Sequence, residues 1–223
     1  KRLEAILAGR DDRSWVDATL HTLGEGFASR GFWIAAAVGL GAQIVDGALG
    51  MAYGVTSTTF LLSSGVPPAA ATAAAPIAEI FTTGFSGLSH LKLGNVNKAL
   101  FKRLVFPGVI GGLVGAYVVT SIDPKTIKPF ISGYLLLIGL YILSKVWRTL
   151  HVRTEPPTYV APLALTGGFV DAVGGGGWGP VVTTSLIGSG QDPRTTIGSV
   201  NAAEFFIAVA TGLSFSMLGG LTH

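Results

Sequence analysis

Four acidic residues lie within otherwise apolar stretches of this sequence: Asp46, Glu79, Asp171 and Glu204. An ionisable side chain inside a membrane span costs at least about 2.5–3.5 kcal/mol, so it usually faces a partner or a polar cavity. Burial favours the neutral form of a carboxyl group, so Glu79 and Glu204 could carry protons and couple anion movement to them. A structural role, in which they hydrogen-bond broken backbone, is equally open. The two aspartates are expected to cap half-helices near an anion site, turned away from its ligand.

A glycine run is the second group of residues that could do chemistry, and it follows Asp171 in GGFVDAVGGGGWGPVV. Glycine loses more conformational freedom in a helix than other residues, so the run predicts a break within an apolar segment. A break leaves free N–H groups and the positive dipole end of a half-helix, which together bind anions. The residues expected to contact the substrate are Gly50, Tyr53, Thr58, Gly174, Gly175, Gly176, Gly177, Trp178, Thr183 and Asn201.

Close helix packing is the alternative explanation of these glycines, because small residues let membrane helices approach one another. For Gly47, Gly50 and Gly54 the two explanations are equally open. The four consecutive glycines after Asp171 favour the anion site.

The composition indicates a membrane protein. Hydrophobic residues make up 49% of the 223 residues and charged residues 12%, and the mean hydropathy is +0.57. A soluble domain carries about 25% charged residues. The net charge is only +3 and the basic residues are scattered, which argues against nucleic-acid binding. Neither a His-x-x-x-His pattern nor a Ser–His spacing suggests an enzyme, and no cofactor is expected.

Stretches of about 20 apolar residues are long enough to cross a bilayer as helices. After a polar or amphipathic segment over residues 1–30, six spans are predicted, near 32–62, 67–91, 100–122, 129–146, 159–187 and 195–218. The first and fifth are too long for one simple helix, and each contains glycines and an aspartate. Basic residues follow the second and fourth spans, so the positive-inside rule places the N-terminus in the cytoplasm of a protein expected in the bacterial inner membrane.

An internal repeat relates the two halves of the chain. A shift of 125 residues aligns Asp46 with Asp171 and Glu79 with Glu204, together with a proline and a dozen other positions, without a gap. Apolar segments match in type by chance, but two acidic residues and a proline at one spacing do not. The shift therefore indicates a duplication.

The predicted fold is all-α and polytopic, with two tandem repeats of four spans each. The first repeat covers 31–155, and the second, over 156–223, is cut short after two spans, so two further spans are expected after His223. The first span of each repeat is predicted to break at its glycine-rich run. Four spans per copy predict parallel copies, which the charge pattern favours, whereas a re-entrant segment would invert them.

Both halves resemble the TauE/SafE sulfite-exporter family over about residues 35–220. The matching stretches are GAQIVDGALGMAYG, LLSSGVPPAAA and SGLSHLKLGNVN in the first half and GGFVDAVGGGGWGPVVTTSLIGSGQDPRTTIGSVNAAEFF in the second. The resemblance implies a multi-span carrier that exports sulfite or organosulfonates, or takes up related small molecules. Where the second copy has GGGGWG the first has GALGMAYG, so the first half of the site is expected to bind differently.

The predicted function is secondary transport of a small sulfur-containing anion, sulfite, a sulfonate or similar, coupled to protons and working by alternating access. The expected partners are this small anion and the lipid bilayer. A divalent metal-ion carrier and an anion channel, both using the membrane carboxylates, are the alternatives. Hard cations favour carboxylate oxygens, whereas the glycine N–H groups and the resemblance favour an anion.

Overall fold

The computed structural model describes residues 33, 36–37, 39–44, 53–145 and 159–220, and every structural statement below concerns these residues. The chain divides into an N-terminal unit, Lys1–Gly41, whose described residues are helical, and a larger unit, Ala42–His223.

Three predictions fall on other parts of the chain. The amphipathic segment 1–30, the break expected in the first copy and the residues Asp46 and Gly50 lie outside the described residues.

The described part of the larger unit is helical, as predicted, and contains no strand. Its elements in order are α1 (Tyr53–Ser63), α2 (Pro68–Lys92), α3 (Lys98–Ser121), α4 (Pro124–Lys145), α5 (Val160–Gly174), a π-helical segment (Trp178–Thr183) that continues into α6 (Thr184–Gly188), and α7 (Pro193–Gly220).

Polar residues at the helix starts explain where several helices begin, because a side-chain oxygen can accept the otherwise unpaired first N–H groups. Asn97 accepts from two N–H groups in the first turn of α3. Asp123 does the same for α4, and Asp192 accepts the N–H of Thr195 in α7. The N–H and the hydroxyl of Thr195 hold the pKa of the exposed Asp192 below its usual value.

Helix length and composition identify two clear membrane spans among the described residues: α3 and Pro193–Leu218 within α7. With 25 and 22 residues, α2 and α4 are also long enough for a hydrocarbon core of about 30 Å. At 15 residues, α5 is shorter than a span.

The fifth predicted span is a re-entrant hairpin rather than a crossing. Its first arm is α5, and its second arm is the π-helical segment with α6. Val182, in the second arm, lies where a Cβ on Gly167 of α5 would sit, and Leu186 packs in one cluster with Val160. The two arms are therefore antiparallel, and the chain turns at Gly174–Gly177. The break was predicted correctly, but the crossing was not.

The starts of α3, α5 and α7 lie at the same end of the bundle. The N–H of Asn97 donates to Oγ of Ser199, 2.8 Å away, near the start of α7. Leu100, near the start of α3, packs in one cluster with Val160 and Val200. The hairpin thus enters and leaves on one side, and α7 begins from that same side.

The repeat-equivalent helices α2 and α7 are antiparallel. Gly84 of α2 faces Phe205 and Gly87 faces Ala202, whereas Gly212 faces Ile80. Residue numbers rise along one helix as they fall along the other. The expectation of parallel copies is therefore wrong for this pair. The hairpin returns the chain to the side on which it entered, so α7 starts from that side and runs opposite to α2.

The helix boundaries repeat at the spacing found in the sequence. Shifted by 125, the end of α1 at Ser63 falls on the end of α6 at Gly188, and the start of α2 at Pro68 falls on the start of α7 at Pro193. Gly65 and Gly190, which end the first helix of each pair, have φ of 89° and 92°. These boundaries agree with a duplication, and the complete repeat architecture stays a prediction.

Glycines set the close contact of α3 with α5. A Cβ on Gly111 would lie 2.9 Å from the main-chain N of Phe169 and would overlap the carbonyl oxygen of Leu165. Main-chain atoms of a packed helix cannot move aside, as the end of a flexible side chain can. This contact holds the first arm of the hairpin against a membrane span.

We expect Gly111→Ala to lower the free energy of unfolding by about 1–3 kcal/mol, as overpacking does. The matched control is Gly133→Ala in α4, where no described atom beyond its own stretch of helix would lie within 4 Å of the added methyl group. There alanine should be neutral or stabilising by up to about 1 kcal/mol, because it favours a helix over glycine. Thermal unfolding of the purified variants in detergent measures both, and equal melting temperatures would contradict the close packing.

Candidate functional site

Asp171 gathers four successive N–H groups of the hairpin turn. Its main-chain oxygen accepts from Gly175 and from Gly176, the latter at 3.1 Å. Its carboxylate oxygen Oδ1 accepts from Gly177 at 2.8 Å and from Trp178 at 2.9 Å. Oδ1 thus bonds the N–H groups at the start of the π-helical segment, which is the geometry of a cap. The amides that the sequence assigned to an anion are bonded to this aspartate.

Two hydroxyl groups from other helices hold the carbonyl groups of the same turn. Thr58 in α1 donates to the Gly175 oxygen at 2.8 Å, and Tyr134 in α4 donates to the Gly176 oxygen at 2.9 Å. Backbone at membrane depth has little water to bond, so unpaired N–H and C=O groups there cost several kcal/mol each. The turn avoids this cost through Asp171, Thr58 and Tyr134.

Each glycine of the turn lies where a side chain would collide with a neighbour. A Cβ on Gly174 would overlap the ring of Tyr134, and a Cβ on Gly177 would approach its hydroxyl to 2.5 Å. Gly175 is blocked by Thr58 and Gly176 by the backbone of α1. Gly175 also has φ of 65°, which favours glycine. Close packing therefore accounts for all four glycines.

The turn meets the N-terminal end of α1. A Cβ on Gly54 would lie 2.6 Å from Cα of Gly176 and would overlap the carbonyl oxygen of Gly175. The backbones of the two copies thus touch at glycines on both sides. We call this contact, between Gly54–Val55 and Gly175–Gly176, the glycine seam.

A polar cavity of about 240 Å³ lies beside the glycine seam. Its wall comes from the start of α1, the middle of α2, the hairpin and the first half of α7. The lining residues are Gln43, Tyr53, Gly54, Val55, Glu79, Thr82, Thr83, Ser86, Asp171, Gly176, Gly177, Gly179, Pro180, Ile197, Asn201 and Glu204.

Three carboxyl groups share this cavity. One carboxylate oxygen each from Glu79, Asp171 and Glu204 lies within 4.8 Å of the others. Glu79 and Asp171 are buried, with 5% and 4% of their surfaces exposed, and Glu204 is half-buried. No lysine, arginine or histidine is among the described lining residues.

This arrangement can accommodate positive charge in two ways. Carboxyl groups this close share protons, because like charges in a buried site cannot all ionise at little cost. Alternatively, a cation that prefers oxygen ligands could contact all three groups.

The structure separates the predicted substrate residues into two groups. Tyr53, Gly176, Gly177 and Asn201 line the cavity, together with the three carboxylates. The others in the described chain lie around the turn without lining the cavity: Thr58, Gly174, Gly175, Trp178 and Thr183.

Two of the residues outside the cavity have structural partners. The indole N–H of the fully buried Trp178 donates to the carbonyl oxygen of Val200 at 3.2 Å. Thr58 donates to Gly175, as described above.

Sequence reasoning did not name Tyr134 or Gln43 among the site residues. Tyr134 shifted by 125 falls beyond residue 223, so the repeat offers no signal for it within this sequence. Gln43 lines the cavity, and its Oε1 is the buried side-chain oxygen without a hydrogen-bond partner in the described part of the chain. A lone amide in an apolar stretch just before Asp46 was the available signal for Gln43.

Known proteins resemble this chain over most of its length. The family model described as sulfite exporter TauE/SafE matches residues 35–223. The Probable membrane transporter protein YtnM of Bacillus subtilis (strain 168) is 44% identical over 186 residues, which cover 80% of this chain and 62% of that protein. The chain therefore spans less than two thirds of the relative's length. No solved structure matches it. From the extent of these matches, the chain belongs to the sulfite exporter TauE/SafE family of integral membrane transporters.

Proposed function

We propose that this protein is a secondary transporter that moves a small sulfur-containing anion, such as sulfite or a sulfonate, across the bacterial inner membrane together with protons. The observation that carries the proposal is the cavity at the glycine seam, whose wall holds three carboxyl groups and several neutral donors. A cavity of about 240 Å³ is large enough for an anion of this size. The family supports transport and the choice of a sulfur-containing anion, and the carboxyl groups in the cavity wall support the coupling to protons.

Proton coupling follows from the charges in the cavity wall. An anion is repelled by ionised carboxylates, and the described wall has no cationic side chain to offset them. A protonated carboxyl group is neutral and can donate a hydrogen bond to an anion oxygen. Glu79 and Glu204 are the groups we assign to carry these protons, while Asp171 holds the hairpin turn. The amide of Asn201, bonded to Ser86 at 2.8 Å, is a neutral donor in the same wall.

Alternating access is supported by the antiparallel pair α2 and α7. Two copies of opposite orientation can exchange conformations and so expose one central site to each side in turn. The proposed architecture is two inverted repeats that each begin with a broken hairpin. If the first apolar segment is also a hairpin, the chain enters and leaves it on one side and then crosses to Lys98 through α2. The N-terminus would then lie on the side opposite to Lys98.

Replacement of Glu204 by glutamine tests the coupling. Glutamine resembles the protonated acid but cannot release a proton, so Glu204→Gln should keep sulfite exchange while losing most proton-driven uptake, by about tenfold or more. Glu79→Gln should behave in the same way. The measurement is tracer sulfite flux in proteoliposomes over a range of pH, with and without a pH gradient.

The matched control is Asp123→Asn, which removes a carboxylate that does not line the cavity and keeps an oxygen that can cap α4. It should retain wild-type flux. Proton-driven uptake that remains unchanged in both glutamine variants would remove the coupling from the proposal.

A divalent cation carrier is the second candidate, and the close approach of the three carboxylate oxygens favours it. Parallel tracer uptake of sulfite, sulfonates, thiosulfate and divalent metals by the wild-type protein separates the two. Saturable uptake of a metal without sulfite uptake would replace the anion proposal with the cation carrier.

A further inference from the structure

One peptide unit of the hairpin turn is held at both ends by side chains. The carbonyl oxygen of Gly176 accepts the hydroxyl of Tyr134 at 2.9 Å. The N–H of the same peptide unit, on Gly177, donates to Oδ1 of Asp171 at 2.8 Å. Gly176 and Gly177 also form part of the cavity wall. The Tyr134 hydroxyl therefore fixes a peptide that both supports a carboxylate and faces the cavity.

We propose that Tyr134 is a positioning residue for substrate binding, which acts from α4 through the Gly176–Gly177 peptide on the cavity wall and on the Asp171 carboxylate. This inference rests on the proposed transport function. A hydrogen bond to a carbonyl group polarises the peptide and strengthens the bond made by its N–H. Tyr134 thereby sets the orientation of the peptide and the strength with which it holds Asp171.

The neighbouring peptide provides an internal comparison. The Gly175 carbonyl accepts the hydroxyl of Thr58 at 2.8 Å, and the Gly176 N–H donates to the main-chain oxygen of Asp171 at 3.1 Å. This peptide is also held at both ends, but its N–H does not reach a carboxylate, and Gly175 does not line the cavity. Loss of Thr58 should therefore loosen the turn without altering the carboxylate support.

The ring and the hydroxyl of Tyr134 have separate roles. The ring packs against Gly174 and Gly177, and the hydroxyl makes the hydrogen bond to Gly176. Tyr134→Phe removes the bond and keeps the ring, so the variant should fold. Thr58→Val removes the other bond at nearly constant volume. Tyr117→Phe, at an exposed tyrosine of α3, is the control for the chemical change itself.

Amide hydrogen exchange resolved to single residues is the first measurement. Tyr134→Phe should speed exchange at Gly177 by at least about fivefold and more than at Gly176, because a lost hydrogen bond is worth about 1 kcal/mol. Thr58→Val should show the reverse order. A general loss of stability would speed both amides equally, and that outcome, or no change at Gly177, would overturn the proposal.

Transport kinetics with sulfite as the probe are the second measurement. Tyr134→Phe should raise KM by about fivefold and change the maximal rate by less than twofold, whereas Thr58→Val and Tyr117→Phe should keep the wild-type KM. An unchanged KM for Tyr134→Phe would overturn the role in binding. If the wild-type protein moves no sulfite, the proposed function fails, and the exchange pattern still decides whether Tyr134 positions the peptide.

Discussion

Asp171→Ala is expected to lower the free energy of unfolding by about 2–6 kcal/mol and to abolish transport. The change leaves the N–H groups of Gly177 and Trp178 without their acceptor in a buried turn. Each buried donor that loses its partner costs about 1–3 kcal/mol. The turn is then expected to change its shape, and one wall of the cavity changes with it. Thermal unfolding in detergent and tracer flux in proteoliposomes measure the two effects.

Asp171→Asn separates the shape of the turn from its charge. Asparagine keeps an oxygen at the position of Oδ1, so it can still accept both N–H groups, although more weakly than a carboxylate. We expect this variant to recover most of the stability lost in Asp171→Ala. If alanine and asparagine destabilise equally, the charge and not the acceptor geometry supports the turn. If alanine is tolerated, the account of the turn is wrong.

Gly54→Ala is the second change with a large expected effect, because it inserts a methyl group into the glycine seam. The new carbon would lie 2.6 Å from Cα of Gly176 and 3.0 Å from Oε1 of Glu79, and the nearest obstacle is the carbonyl oxygen of Gly175. We expect a loss of about 1–3 kcal/mol in the free energy of unfolding. Transport should fall by at least about tenfold, since separation of the two backbones displaces both the hairpin turn and a cavity carboxylate.

Gly139→Ala is the matched control for this change. It lies within α4, where no atom of the described residues outside its own stretch of helix would come within 4 Å of the added methyl group, so alanine should be neutral or slightly stabilising there. A Gly54→Ala protein with wild-type stability and flux would contradict the close main-chain packing of the glycine seam.

The hairpin turn solves a problem that any break in a membrane helix creates. Lipid offers no hydrogen bonds, so broken backbone must find its partners within the protein. Here one aspartate accepts four N–H groups, and hydroxyl groups from α1 and α4 donate to two carbonyl groups. Asp171 is a charged residue in an apolar stretch, and its main role is to bond the backbone of the turn. Its place in the cavity wall follows from that role.

Several features of this architecture were predictable from local chemistry. The break follows from four consecutive glycines, and the capping role of Asp171 follows from a carboxylate placed just before them. The matching ends of α1 and α6 and the matching starts of α2 and α7 agree with the repeat found in the sequence. These predictions depend on interactions between residues that are close along the chain.

The direction of the second copy could not be predicted in the same way. Apolar length suggested that residues 159–187 cross the membrane, since a hairpin of two short arms and a single broken span have the same composition. The contact of Gly167 with Val182 distinguishes them, and it depends on whether the chain reverses at the turn. Arg194 is the one basic residue between this segment and the next, and a single charge is too weak a signal to assign the side on which the segment ends.

The sequence by itself predicted a helical chain in a membrane and a break at the four glycines after Asp171. Composition, glycine content and helix caps act locally, so they can be read without knowing the fold. The tertiary structure decided that α2 and α7 run in opposite directions and that Tyr134 reaches the turn. Those facts depend on which helices touch, and a contact between residues more than forty positions apart leaves no trace in the local pattern.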